Sequence, residues 1–162
     1  MARMTTSSVF VGRDEESGIV AQALLERPPG CVLLVGPPGI GKTALANAVF
    51  SSQPIAERFG SRRYWLSMVH VKTRFEMLSA LARAIGVDSG DPPQVLEHLR
   101  RAPALLVMDD VSLTGGDEGI EVDELVTDMH RLGTVAFIAT ARATTDAFSL
   151  RWTQMQIGRA HV

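Results

Sequence analysis

The sequence predicts an α/β fold, with a parallel sheet covered by helices on both faces. Three observations carry this. Short runs that are apolar at every position recur at residues 31–35, 104–108 and 135–139, as strands buried on both faces require. Between them lie segments whose apolar residues fall at helical spacing. The first apolar run leads straight into Gly36-Pro37-Pro38-Gly39-Ile40-Gly41-Lys42-Thr43, which reads G-x-x-x-x-G-K-T. Such a loop belongs between a strand and a helix, and Ala44-Leu45-Ala46-Asn47-Ala48-Val49-Phe50 behind it is a helix-permissive run.

The residue types of the loop set its chemistry. Glycines let successive backbone N–H groups turn inward and form an anion-binding nest. The helix behind adds its positive dipole end and its free N–H groups. Gly36, Pro37, Pro38, Gly39, Ile40, Gly41, Lys42, Thr43 and Ala44 are therefore the expected phosphate contacts of a nucleotide. Lys42 is expected to reach the β- and γ-phosphates, and the Thr43 hydroxyl to ligate Mg²⁺.

The elements follow in order. Residues 1–8 are polar and expected to be disordered. Asp14, Glu15 and Glu16 suit the start of a helix whose Ile19, Val20, Ala23 and Leu24 share one face. Pro28-Pro29-Gly30 stops it. Residues 62–67 read as a second, less buried strand at a sheet edge. Thr73-Arg74-Phe75-Glu76 is a capping box, and Phe75, Leu78, Leu81, Ala82 and Ile85 form the core-facing stripe behind it, closed by Gly86. Asp91 and Pro92 open a further helix running to about Arg101. Residues 112–119 read as a Gly-rich loop. Val122, Leu125, Val126 and Met129 mark the next helix, and Gly133 its end. Residues 150–157 form a candidate fifth strand.

A second chemical motif ends the run Ala104-Leu105-Leu106-Val107-Met108 with two carboxylates, Asp109 and Asp110. In α/β sheets ligands sit at the carboxyl ends of strands. Asp109 there is expected to hold Mg²⁺, directly or through water, and Asp110 to orient or deprotonate the attacking water. The last apolar run delivers Thr140-Ala141-Arg142 to the same rim, where an arginine is placed to sense a γ-phosphate.

Composition excludes other classes. With 46% hydrophobic and 21% charged residues the chain is an ordinary globular one, and 162 residues suffice for one domain core. A formal net charge of −2 gives no basic footprint for nucleic acid and no polybasic membrane patch. A single cysteine offers no disulfide framework, which makes the cytoplasm the natural compartment; Cys31 reads as a small apolar residue of a buried strand. No apolar stretch reaches membrane-spanning length. His70, His98 and His130 show no metal-ligand spacing, and no Ser–His–Asp arrangement can be drawn.

Phe10-Val11-Gly12-Arg13-Asp14-Glu15-Glu16, the phosphate loop, residues 105–111 and Thr140-Ala141-Arg142 occur in one order. Together they resemble the NB-ARC/AP-ATPase branch of the STAND signal-transduction ATPases, a variant of the AAA+ architecture, over about residues 9–157. The sensor of that branch reads Thr-Thr-Arg, so Ala141 is a departure. The resemblance implies a P-loop NTPase three-layer sandwich with sheet order 5-1-4-3-2. It further implies a switch that holds ADP at rest, exchanges it for ATP with Mg²⁺ on a signal, and forms nucleotide-dependent homo-oligomers in the full-length protein. Val11 and Arg13 would lie near the adenine. Thr140 and Arg142 would join Asp109 around the phosphates. Many bacterial relatives resemble transcriptional regulators whose DNA-binding module lies elsewhere, and no nucleic-acid site is visible in this segment.

Family members continue into a helical lid and a winged-helix domain, whereas this sequence stops. Its last residues, Ile157-Gly158-Arg159-Ala160-His161-Val162, resemble a one-frame translation of a sequencing-library adapter. The nucleotide-binding domain is accordingly expected over residues 9–157, and residues 158–162 as an adapter-derived tail. Two functions compete: a slow ATP/ADP regulatory switch, and an AAA+ motor or loader ATPase. Motor sites usually end their acidic strand in Asp-Glu and carry Asn on the sensor strand. Asp109-Asp110 with Thr140 and Arg142 favours the switch. A P-loop kinase fits the acidic strand and the opening motif least.

Overall fold

The computed structural model describes residues 14–87, 91–113, 116–144 and 148–158. The expectations for residues 1–8, for Val11 and Arg13, and for tail residues 159–162 lie outside the described residues. Helix α1 (Asp14–Leu24) leads to β1 (Cys31–Val35). Then come α2 (Lys42–Phe50), α3 (Gln53–Phe59), β2 (Arg63–Ser67), α4 (Arg74–Ile85), α5 (Pro92–Arg100), β3 (Ala104–Val111), α6 (Asp117–Arg131), β4 (Val135–Ala141) and β5 (Thr153–Gln156).

The five strands pair in parallel in the order β2-β3-β4-β1-β5, which is 5-1-4-3-2 read from the other edge. Successive strand residues point to opposite faces, so each apolar run feeds two cores. Leu33, Leu106 and Phe137 meet Leu81 of α4, Leu99 of α5 and Leu125 of α6 on one face. Val32, Leu34, Leu105, Val107 and Ile138 meet Leu24 of α1, Leu45 of α2 and Phe59 of α3 on the other. Each such side chain contributes about 1.5–3 kcal/mol by leaving water, so the two faces together hold the three layers. Strand β2 sits at the edge, and its burial alternates as an edge strand's should.

The capping box at Thr73 is present. Glu76 N–H donates to Thr73 Oγ1 (3.1 Å) and Thr73 N–H to Glu76 Oε1 (3.0 Å). Gly86 closes the same helix in the left-handed region.

Three expectations are corrected, and one helix is added. Phe75 is 79% exposed, and the buried stripe of α4 is Met77, Leu78, Leu81 and Ala82. Phe75 lines an open groove beside the edge strand β2, where no further element covers it, so periodicity alone overcounts it. Ile19 likewise faces water, leaving Val20 and Leu24 as the buried residues of α1. Helix α6 begins at Asp117, inside the expected loop, with Asp117 and Glu118 in its first turn and Gly119 buried within it. Helix α3 was not expected at all; its core contacts are Ile55 and Phe59. Among the described residues no helix is long and apolar enough to cross a membrane.

Candidate functional site

Strand β1 ends at Val35 inside the sheet, between β4 and β5. The loop that follows turns through Gly39 (φ 77°) and Gly41 (φ 97°), both in the left-handed region that side chains disfavour. The Gly41 carbonyl accepts the first helical bond of α2, from Leu45 N–H. The first N–H groups of α2 are left facing the loop. Gly36 is needed for a different reason. A Cβ there would lie 2.5 Å from the Ile157 carbonyl oxygen, and Ile157 N–H itself donates to Val35 O (2.7 Å).

Lys42 opens α2, and its ammonium donates to the carbonyls of Gly36 (2.5 Å) and Pro37 (3.0 Å). Burial draws its pKa below the usual lysine range. Asp110 and Asp109 oppose that shift, and Arg142 adds to it. Three of these charges therefore face Lys42 from the ends of β3 and β4.

On β3, Asp109 shares the face of Leu105 and Val107, the one covered by α2. Thr43 Oγ1 donates to Asp109 Oδ1 at 2.9 Å. Thr140 on β4 donates to the same oxygen at 2.7 Å. Simple alternation would send Asp110 to the opposite face. A register shift prevents this: Met108 lies opposite Ala139, but Val111 opposite Ala141. The extra residue is a bulge, and Asp110 takes φ 66° within it. Its N–H donates to Thr140 Oγ1 at 2.7 Å. Bulges re-aim side chains beside sites, and Asp110 duly faces the cleft with Asp109.

Pro38, Gly39, Gly41, Lys42, Thr43, Asp109, Asp110, Thr140 and Arg142 line one cleft of about 450 Å³. Val69, from the loop after β2, completes it; a lone exposed valine gave no signal in the sequence. Gly36, Pro37, Ile40 and Ala44 do not line the cleft. The first two supply carbonyls to Lys42, Ile40 packs on the α1–α3 core, and Ala44 is half-buried in α2. A wider groove of about 610 Å³ runs along β2 and α4 beside Trp65, Phe75 and Arg83, and holds none of the loop or carboxylate residues. Cys31 is buried, which pushes its thiol up to about 11 and keeps it neutral, with Sγ 3.4 Å from His130 Nδ1.

A glycine-lined loop between an interior parallel strand and a helix, closed by a Thr–Asp bond to the acidic strand on the far side of β4, defines a P-loop nucleoside triphosphatase domain. The chain belongs to the AAA ATPase domain family, whose model matches residues 9–138.

Solved structures of the same fold include Cdc6p from Pyrobaculum aerophilum (18% identity, TM-score 0.65, covering 86% of this chain and 43% of that one). The Orc1 protein of Aeropyrum pernix in complex with DNA is similar (18%, 0.62, covering 90% and 45%). So is PH0952 from Pyrococcus horikoshii, a STAND protein with a tetratricopeptide repeat sensor (21%, 0.56, covering 91% and 23%). At these identities the likeness is one of fold. The chain spans less than half the length of each of these proteins. The comparison with curated proteins returns no match.

Proposed function

We propose that this chain is the nucleotide-binding switch domain of a STAND-type regulatory ATPase, holding ATP or ADP with Mg²⁺ and hydrolysing ATP slowly. The observation that carries the reading is that one cleft gathers Gly39, Gly41, Lys42, Thr43, Asp109, Asp110 and Arg142. The residues fit a magnesium nucleotide. Gly39 and Gly41 hold the left-handed turns that aim loop N–H groups inward. Thr43 and Asp109 already meet through one carboxylate oxygen, the pairing of hard oxygen ligands that Mg²⁺ takes beside phosphate and water. Bound there, the ion would neutralise phosphate charge.

Lys42 and the loop amides hold phosphate oxygens in this reading. Asp110 takes the proton of the attacking water as the bond to ADP breaks. Arg142 contacts what ATP has and ADP lacks. Two features favour a switch over a motor: the second acid is Asp110 rather than a glutamate, and the sensor strand ends in Thr140-Ala141-Arg142. The full-length protein would act in the cytoplasm and assemble into homo-oligomers with nucleotide state.

Titration with ATP and ADP, with Lys42→Ala as control, tests binding. Turnover tests the role. A switch should bind both nucleotides and release product far more slowly than it forms it. Sustained rapid turnover without a partner supports the motor or loader reading instead. Failure to bind either nucleotide, or equal binding by Lys42→Ala, sinks both.

A further inference from the structure

We propose that Thr140 is a positioning residue that divides the two carboxylates of β3 into separate roles, and that it does so without donating to the nucleotide. The inference rests on the reading of the cleft as a magnesium-nucleotide site. Sequence reasoning placed Thr140 among the phosphate contacts. The geometry points elsewhere. A hydroxyl has one proton to give, and that of Thr140 goes to Asp109 Oδ1 at 2.7 Å. The oxygen accepts Asp110 N–H, also at 2.7 Å. What remains is a lone pair, which an anionic phosphate oxygen does not seek.

Both bonds have work to do. The residue is 1% exposed, and two hydrogen bonds engage its hydroxyl on the wall of the cleft. The bulge takes Asp110 out of the regular β3–β4 register, and a bulged residue loses its place in the ladder. Thr140 supplies the partner its N–H needs. The same hydroxyl fixes the oxygen of Asp109 that Thr43 also binds. One buried group thus holds Asp109 against α2 and Asp110 in its left-handed turn toward the cleft. Losing it should blur the division between the two acids while leaving the phosphate loop intact.

The test compares Thr140→Val, which keeps the shape and removes the hydroxyl, with Thr140→Ser, which restores it. In the nucleotide-free chain, amide exchange at Asp110 should speed up by about tenfold or more in Thr140→Val, the scale of one lost hydrogen bond. Thr140→Ser should stay close to the parent. ADP affinity without Mg²⁺ should change little in either. In Thr140→Val the gain in ATP affinity from Mg²⁺ and the single-turnover hydrolysis rate should each fall by about tenfold or more, with Thr140→Ser restoring both. If Thr140→Val does not fold, Thr140→Ala carries the same readouts.

Unchanged exchange at Asp110 overturns the relay. Changed exchange with unchanged Mg²⁺ dependence and hydrolysis overturns the positioning role. Equal loss of Mg²⁺-free ADP affinity makes Thr140 a nucleotide contact and also overturns it. A parent chain that binds no nucleotide with Mg²⁺ sinks the reading of the cleft, and with it the role, while exchange at Asp110 still decides the relay itself.

Discussion

The hydroxyl of Thr43 and the carboxylate of Asp109, 66 positions apart in the chain, share a hydrogen bond of 2.9 Å. That bond ties the first turn of α2 to the end of β3 across the cleft. In the proposed reading the two are the Mg²⁺ ligands, and their bond would reduce what must be ordered when the ion binds. Thr43→Ala and Asp109→Asn should each cut the gain in ATP affinity that Mg²⁺ provides, by about 1.5–3 kcal/mol for a charged contact. Affinity without Mg²⁺ should change less. Titrations with and without the ion check this; equal losses in both would mean that the pair holds the fold rather than the metal.

Gly36 and Gly39 are both loop glycines, but the structure separates their reasons. An alanine Cβ at Gly36 meets a backbone carbonyl at 2.5 Å, whereas at Gly39 nothing lies within 4 Å and only φ 77° opposes it. A clash with backbone forces the strand end or the Ile157 segment to move, costing about 1–3 kcal/mol. Left-handed backbone alone costs about 1–2 kcal/mol. Gly36→Ala should therefore lower the urea midpoint at least as much as Gly39→Ala, and should also loosen Ile157. A midpoint for Gly36→Ala equal to the parent's contradicts the clash.

His98 is a pH-sensitive point at the opposite end of the sheet from the cleft. Its Nε2 lies 3.3 Å from Arg62 Nη1 and 3.2 Å from the Tyr64 hydroxyl. An arginine N–H can only donate, so Nε2 must be unprotonated there. Burial, with Arg62 and Arg101 adding repulsion, holds the pKa below the usual histidine value. The unfolded chain then binds the proton more readily, so stability rises with pH in this window. It is fully present above about 6.5 and is lost as pH falls from there through the folded value. His98→Gln should flatten that slope in urea unfolding between pH 5 and 7, about the range where histidine titrates. An unchanged slope would move the acid sensitivity to another group.

How much of this was legible in the sequence differs by element. Strands β1, β3 and β4 were readable because burial on both faces leaves unbroken apolar runs. The loop was readable because its spacing is fixed by what it must do. Helix α3 was not. It has only seven residues, with proline in its first turn, and offers too few periods to count. Phe75 misled because helical periodicity shows which side a residue lies on, not whether a neighbouring element covers it; beside the edge strand β2 it lines an open groove.

The turn at Asp110 was the deepest omission. A bulge depends on register with β4, a pairing between residues some thirty positions apart, and no local pattern encodes it. The sequence placed both acids at the strand end, but alternation would have sent them to opposite faces.

Arg142 makes the sharpest test of how the cleft distinguishes its ligands. It is the first residue past β4, which lies between the phosphate-loop strand and the acidic strand. It lines the cleft with Lys42 and Asp110, and its charge is felt at Lys42. ADP ends at the β-phosphate, which in the proposed reading the loop N–H groups and Lys42 hold. Only ATP adds a further anionic group for the guanidinium. A ligand shifts a two-state equilibrium only through a difference in its contacts with the two states. Arg142→Ala should therefore weaken ATP by about 1–3 kcal/mol. ADP, which ends short of that group, should weaken less, by the loss of a more distant and better screened charge. Paired ATP and ADP titrations on parent and variant read this directly. If both affinities fall together, Arg142 serves the phosphates that the two nucleotides share, and the distinction between them must come from another residue.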